Sequence, residues 1–144
     1  MSFKGIYYHS LDDKNRLIIP AKFRDELGES FVVTKGLDGC LSVYTTDRWD
    51  QMIDRLSEIP STKKDARAYL RILTSNAIDC SLDNQGRIQL SQHLVATADI
   101  KKKCVILGVA ERLEIWPEEV WEKFNEEASQ VYEELAESIT EDLQ

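Results

Sequence analysis

Two pairs of residues in this 144-residue chain have types and spacing that could do chemistry: Asp12 with Arg16, and Asp83 with Arg87. An aspartate four residues ahead of an arginine, across a polar tip, can hold the guanidinium in a fixed fork through charge-assisted hydrogen bonds. Such a fork matches guanine O6 and N7 in the major groove, each contact being worth about 1 to 3 kcal/mol of discrimination. Arg16 and Arg87 are therefore the candidate base readers. Lys14, Lys22 and Arg24 suit phosphate contacts that set register, and Asn15 and Gln85 lie in the tips beside them. A lone Asp-x-x-x-Arg carries no information, because a charged tip is ordinarily a solvated turn.

The motif gains meaning by recurring. Leu11-Asp12-Asp13-Lys14-Asn15-Arg16-Leu17 returns 71 residues later as Leu82-Asp83-Asn84-Gln85-Gly86-Arg87-Ile88. One more residue of shift sets Val32 to Gly36 against Cys104 to Gly108, Leu41 to Tyr44 against Leu113 to Trp116, and Trp49 against Trp121. The chain is an internal duplication. Asn15 and Gly86 share one turn position, and both residue types tolerate a positive φ.

The elements that must position these tips follow from pattern. Lys4 to Tyr8 with Leu17 to Ile19, and Ala77 to Leu82 with Arg87 to Leu90, read as strands of two hairpins. Helices follow at Pro20 to Leu27 and at Ser91 to Ala98, the second opening on a capping serine. Two strands come next in each copy: Phe31 to Lys35 with Cys40 to Tyr44, and Lys103 to Leu107 with Arg112 to Trp116. Thr46-Asp47 is the expected cap of a helix from Arg48 to Glu58 that Pro60 stops. Lys63 to Ser75 reads as a connecting helix. Pro117 opens a long helix through Leu143, with Val120, Trp121, Phe124, Val131, Leu135, Ile139 and Leu143 along one face. That face would bury either on its own chain's core or between subunits. Each copy is thus β-β-α-β-β-α, close to the smallest size that stands alone. The expected division is residues 1–60, a connecting helix at 61–76, and 77–144.

Charge is unevenly spread. The net charge is -8, but residues 118–144 hold ten acids against Lys123, leaving +1 for the rest. Residues 1–24 carry Lys4, Lys14, Arg16, Lys22 and Arg24 against Asp12 and Asp13. A local basic patch, not the net charge, neutralises phosphates, so the acidic total does not exclude DNA. Cys40, Cys80 and Cys104 are odd in number and widely spaced, as reduced, packed thiols are. No C-x-x-C pair suggests zinc, and no metal or cofactor is expected. There is no Gly-x-Ser-x-Gly, Walker loop or Gly-x-Gly-x-x-Gly, and the only histidines are His9 and His93. Asp12 and Asp13 beside Lys14 and Arg16 would stay ionised, unsuited to a general acid. An enzyme is not expected. Without an apolar run of signal or membrane length, a cytoplasmic protein is.

The stretch from Leu11 through Arg24, with Lys35-Gly36-Leu37-Asp38-Gly39-Cys40-Leu41, the Leu82 to Ile88 tip and Arg112-Leu113-Glu114-Ile115-Trp116, closely resembles the MraZ family, over nearly the whole chain. That family is related to the AbrB and SpoVT group. The resemblance implies an α+β fold in which two tandem, pseudo-symmetric swapped-hairpin halves form a double-split β-barrel. It implies a transcriptional regulator, associated with the nucleoid, that assembles with copies of itself into rings. Its partner would be double-stranded DNA carrying short direct repeats upstream of the cell-division and cell-wall operon. Three positions depart from the family pattern: Asn15 stands where glycine is expected, Ser91 where proline is, and Val95 where the arginine matched by Arg24 is. Counted along the chain, the second half has fewer cations, which gives the first half more weight in binding. A protein-interaction ring that does not touch DNA is the alternative.

Overall fold

The computed structural model describes residues 2–143. The first half runs β1 (Phe3–Ser10), β2 (Arg16–Ile18), α1 (Ala21–Leu27), β3 (Ser30–Lys35), β4 (Leu41–Thr45) and α2 (Thr46–Glu58). Helix α3 (Lys64–Ser75) connects it to β5 (Ile78–Ser81), β6 (Arg87–Gln89), α4 (Gln92–Thr97), β7 (Lys103–Ala110), β8 (Arg112–Pro117), α5 (Glu118–Gln130) and α6 (Tyr132–Ser138). The expected order of elements is present, in a mixed α and β fold with antiparallel sheets.

The expected hairpins are not hairpins in their pairing. Strand β1 pairs with β7 rather than with β2, β5 pairs with β3, and β2 pairs with β6. Each half lends its first strand to the other half's sheet. The six-stranded sheet has the order β1-β7-β8-β4-β3-β5, and β2-β6 forms a separate ribbon. The larger sheet stays open, with β1 and β5 at its edges. Turn residues alone could not distinguish local pairing from exchange, because the turn chemistry is the same in both.

A pseudo-dyad relates the halves. In the ribbon Leu17 pairs with Ile88, its own counterpart, with Arg16 opposite Gln89 and Ile18 opposite Arg87. In the sheet Ser42 pairs with Glu114, again counterparts, flanked by Leu41 with Ile115 and Val43 with Leu113. The axis therefore passes through both pairs. Leu17, Ile88, Leu41, Val43, Leu113 and Ile115 are fully buried in the main core between ribbon and sheet.

The repeat register needs one correction. Val33 pairs with Val43, whereas Ile106 pairs with Ile115. Val33 therefore corresponds to Ile106, one residue beyond the match read from sequence. Phe31, Val33, Cys104 and Ile106 all face the main core, while Val105 lies in a second cluster on the other face. A one-residue slip exchanges the faces of a strand. It escapes notice here because β3 and β7 are buried on both sides and lack alternation. Gly36 and Gly108 are then not equivalent. Gly108 lies opposite Gly5, where a Cβ would run into the backbone of Lys4.

Other expectations shift at element ends. Ser91 caps α4 as expected, accepting from the Leu94 N–H at 3.1 Å. The cap of α2 is Thr45, whose hydroxyl accepts from the Arg48 N–H at 3.2 Å, rather than Thr46-Asp47. The long C-terminal helix is broken at Val131 (φ -116°, ψ 21°), separating α5 from α6 before a 3₁₀ turn at Thr140–Leu143. Only its first part packs on the sheet: Trp121 and Phe124 meet Trp116 with ring centroids 5.4 and 5.1 Å away. Leu135 and Ile139 remain about half exposed. The tryptophans sit outside the main core. Trp116 and Trp121 belong to the second cluster, and Trp49 lies 6.1 Å from Tyr44 at the equivalent place.

Candidate nucleic-acid interface

The two tips are closed in the same way. The Asp12 N–H donates to the Arg16 carbonyl and the Asn15 N–H to the Asp12 carbonyl, both at 3.0 Å; Asp83, Arg87 and Gly86 repeat the pattern at 2.9 and 3.0 Å. Asn15 (φ 58°) and Gly86 (φ 74°) both take the left-handed conformation that the shared position requires. In each tip one carboxylate oxygen accepts two backbone N–H groups. Asp12 Oδ1 takes Lys14 at 2.9 Å and Arg16 at 2.8 Å, and Asp83 Oδ1 takes Gln85 and Arg87 at 2.9 Å. The other oxygen takes the guanidinium Nε: Arg16 at 2.6 Å and Arg87 at 2.8 Å. The arginines are thus held by their aspartates before any ligand arrives. Arg87 Nη1 also lies 3.9 Å from Asp12 Oδ2, drawing the two tips into one cluster.

The carboxyls of Asp12 and Asp83 are held below their ordinary 3.8, first by the backbone N–H of Arg16 or Arg87, against some desolvation, and then by the guanidinium and the second N–H. Because folding lowers these pKa values, the ionised tips stabilise the protein above 3.8, and the contribution is lost as pH falls through the lower folded values. Asp12→Asn with Asp83→Asn is expected to flatten the acid limb of stability below 3.8 and leave the dependence above about pH 5 unchanged. Urea unfolding at a series of pH values reads this directly; an acid limb as steep as the wild type's would refute the role given to the carboxylates.

Side-chain alternation settles which residues the ribbon presents. Leu17 and Ile88 point inward, so Arg16, Ile18, Arg87 and Gln89 share the outward face. Sequence reading had found the arginines but missed Ile18, 42% exposed, and Gln89. The signal was available, since each stands two residues beyond an arginine in a short strand. Lys14 and Gln85 are exposed in the tips. Lys22 is exposed on α1, with Nζ 3.8 Å from where a Cβ on Gly5 would stand.

Arg24 lies elsewhere than its chain position suggests. Its Nε donates to the Ile19 carbonyl at 2.8 Å, and its guanidinium covers Gly86 of the other half so closely that any Cβ there would collide with it. The second tip therefore has a cation beside it after all. Counting cations by half along the chain misplaces this one, and the greater weight given to the first half loses that support. The dyad counterpart of Arg24 is Val95, which is buried, and the counterpart of Gly86 is Asn15, whose amide instead donates to Gln92 Oε1 at 3.0 Å. Two of the departures from the family pattern thus fall at positions the dyad matches to this one contact: the glycine lies under the arginine, and the asparagine stands where valine replaces it.

Burial pushes the Cys40 thiol up to about 12 and those of Cys80 and Cys104 to about 11, leaving them poor nucleophiles. Among the described residues no His, Cys, Asp and Glu group could hold a metal, and no helix is long and apolar enough to cross a membrane.

Comparison with known proteins places these features. The family described as "MraZ protein, putative antitoxin-like" matches the chain twice, over residues 2–72 and 73–142. A protein of Ligilactobacillus salivarius named transcriptional regulator MraZ is 49% identical over 137 residues, 95% of this chain and 96% of that protein. Proteins of the same name are 49% identical in Caldanaerobacter subterraneus subsp. tengcongensis, over 94% of each chain, and 45% identical in Alkaliphilus metalliredigens, over 96% of this chain and 97% of that one.

Proposed function

Because the chain belongs to the MraZ family, we propose that it is a DNA-binding transcriptional regulator that reads double-stranded DNA with the outward face of the β2-β6 ribbon. The observation that carries this reading is the pair of Asp-held arginines on one exposed, dyad-related ribbon. A two-stranded ribbon fits the major groove. With each Nε committed to an aspartate, the two Nη groups form the fork that would meet guanine O6 and N7. Lys14 and Lys22 would contact phosphates and fix register, with Asn15 and Gln85 in the tips beside them. Arg24 would serve both a phosphate and the turn it covers.

The finer reading includes self-assembly into a ring around a double-split barrel, short direct repeats upstream of the cell-division and cell-wall operon as the target, and association with the nucleoid. A single subunit with few phosphate contacts binds weakly, whereas linked subunits on successive repeats gain effective concentration. The half-exposed apolar residues Leu135 and Ile139 on the C-terminal segment support contact between copies. The acidic residues around them keep that surface away from phosphate.

Binding to DNA from the protein's own upstream region, compared with random DNA across a salt series, tests the proposal. A steep salt dependence with preference for the upstream fragment is expected. Asp12→Ala is expected to lower that preference more than it lowers binding to random DNA, because it releases a fork rather than a phosphate contact. Salt-independent or absent binding by an intact oligomer would favour a protein-interaction ring instead, and equal loss on both DNAs would refute the role of Asp12.

A further inference from the structure

The ribbon's dyad is broken at one pair of outward positions. It maps Arg16 onto Arg87 but Ile18 onto Gln89, so the exposed face carries two like cations, one apolar side chain and one amide. Resting on the DNA reading above, we infer that Gln89 and Ile18 determine specificity, Gln89 reading an adenine and Ile18 the methyl group of a thymine.

The chemistry and the geometry agree. Glutamine pairs bidentately with adenine, accepting from N6 and donating to N7, and an apolar side chain in the major groove packs on the thymine methyl. Gln89 is preorganised for its part. Its Nε2 donates to the Lys14 carbonyl of the other half at 3.2 Å, which fixes the orientation of the amide. The second hydrogen of Nε2 and the lone pairs of Oε1 remain for a base edge. Ile18 has no polar group to satisfy, and it is 42% exposed in a strand whose next residue, Ile19, is fully buried. An apolar side chain on that face gains by covering a methyl and loses against a polar base edge.

Position narrows the target further. Gln89 lies directly across the ribbon from Arg16, and Ile18 directly across from Arg87. Side chains facing each other across an antiparallel pair have Cβ atoms about 5 Å apart, between one and two base-pair steps of about 3.4 Å each. Adenine is therefore expected within a step or two of the guanine read by Arg16, and thymine within a step or two of the guanine read by Arg87. The two ends of the ribbon read different base pairs although each carries an arginine fork of the same geometry.

Selection from a duplex library with a randomised centre, using the full chain in its native assembly, tests the assignment. The wild type is expected to enrich adenine and thymine beside guanines. Gln89→Glu, which can only accept hydrogen bonds, is expected to change the adenine preference to cytosine by about tenfold or more, with the other positions retained. Replacing the selected thymine by uracil is expected to weaken wild-type binding about fourfold, the worth of one buried methyl, and to leave Ile18→Ala unaffected. Both side chains are exposed, so neither variant threatens the core. An enriched sequence unchanged by both variants, with uracil tolerated by the wild type, would overturn the assignment and leave the DNA reading standing. No enrichment by the wild type would overturn both.

Discussion

Replacing Arg16 and Arg87 together by alanine is expected to bring binding to the upstream DNA down to the level of random DNA while the protein stays folded. Each bidentate contact to guanine is worth about 1 to 3 kcal/mol, roughly fivefold to more than a hundredfold in affinity per arginine. The cost to stability is small by comparison. Both side chains are partly exposed, and exposed ion pairs contribute about 1 kcal/mol or less. The aspartates keep their backbone donors, so the tips retain the bonds that shape them. Because the lysines that would contact phosphate are untouched, the salt dependence on random DNA should barely change. The single variants should show comparable losses, since the two forks have the same geometry and Arg24 brings a cation to the second tip. A double variant that keeps its preference for upstream DNA would refute base reading by these residues. Equal loss on upstream and random DNA would recast them as phosphate contacts.

Much of this arrangement is legible in the sequence. The repeated Asp-x-x-x-Arg tip located both forks, and the matching apolar runs placed the strands and helices in order. Exchange of strands was legible only through the family resemblance, which implies swapped hairpins; a turn sequence by itself records only the local reversal, because pairing partners are chosen by the whole core. The slip between β3 and β7 has a similar cause. Strands covered on both faces lose the alternation that reveals register, so Val33 aligned equally well with Val105 or Ile106. The break at Val131 leaves no mark in an otherwise continuous helical pattern. Residue types along the chain also could not show that Arg24 of one half serves the turn of the other, which only the exchanged packing of the halves brings together.

That crossing arginine sets the other large effect. Gly86→Asn is expected to destabilise the protein by about 1 to 2 kcal/mol, read as a lowered midpoint in urea unfolding. The positive φ is not the main cause, since asparagine already occupies the equivalent conformation at Asn15. The cost comes from the Cβ, which would displace the Arg24 guanidinium and break its bond to the Ile19 carbonyl. A hydrogen bond from a charged donor contributes about 1.5 to 3 kcal/mol, of which a guanidinium on a flexible, partly exposed stem recovers a share by moving aside. The other half shows how the conflict is resolved: valine in place of arginine, and asparagine at the turn. Arg24→Val in the Gly86→Asn background should therefore recover part of the loss, giving a coupling of about 1 kcal/mol in a double-mutant cycle. Additive effects would mean that Arg24 and Gly86 do not constrain one another, and that the paired departures at Asn15 and Val95 are independent. With coupling, the two tips are alternative solutions to one packing problem, each delivering its arginine to the same ribbon face.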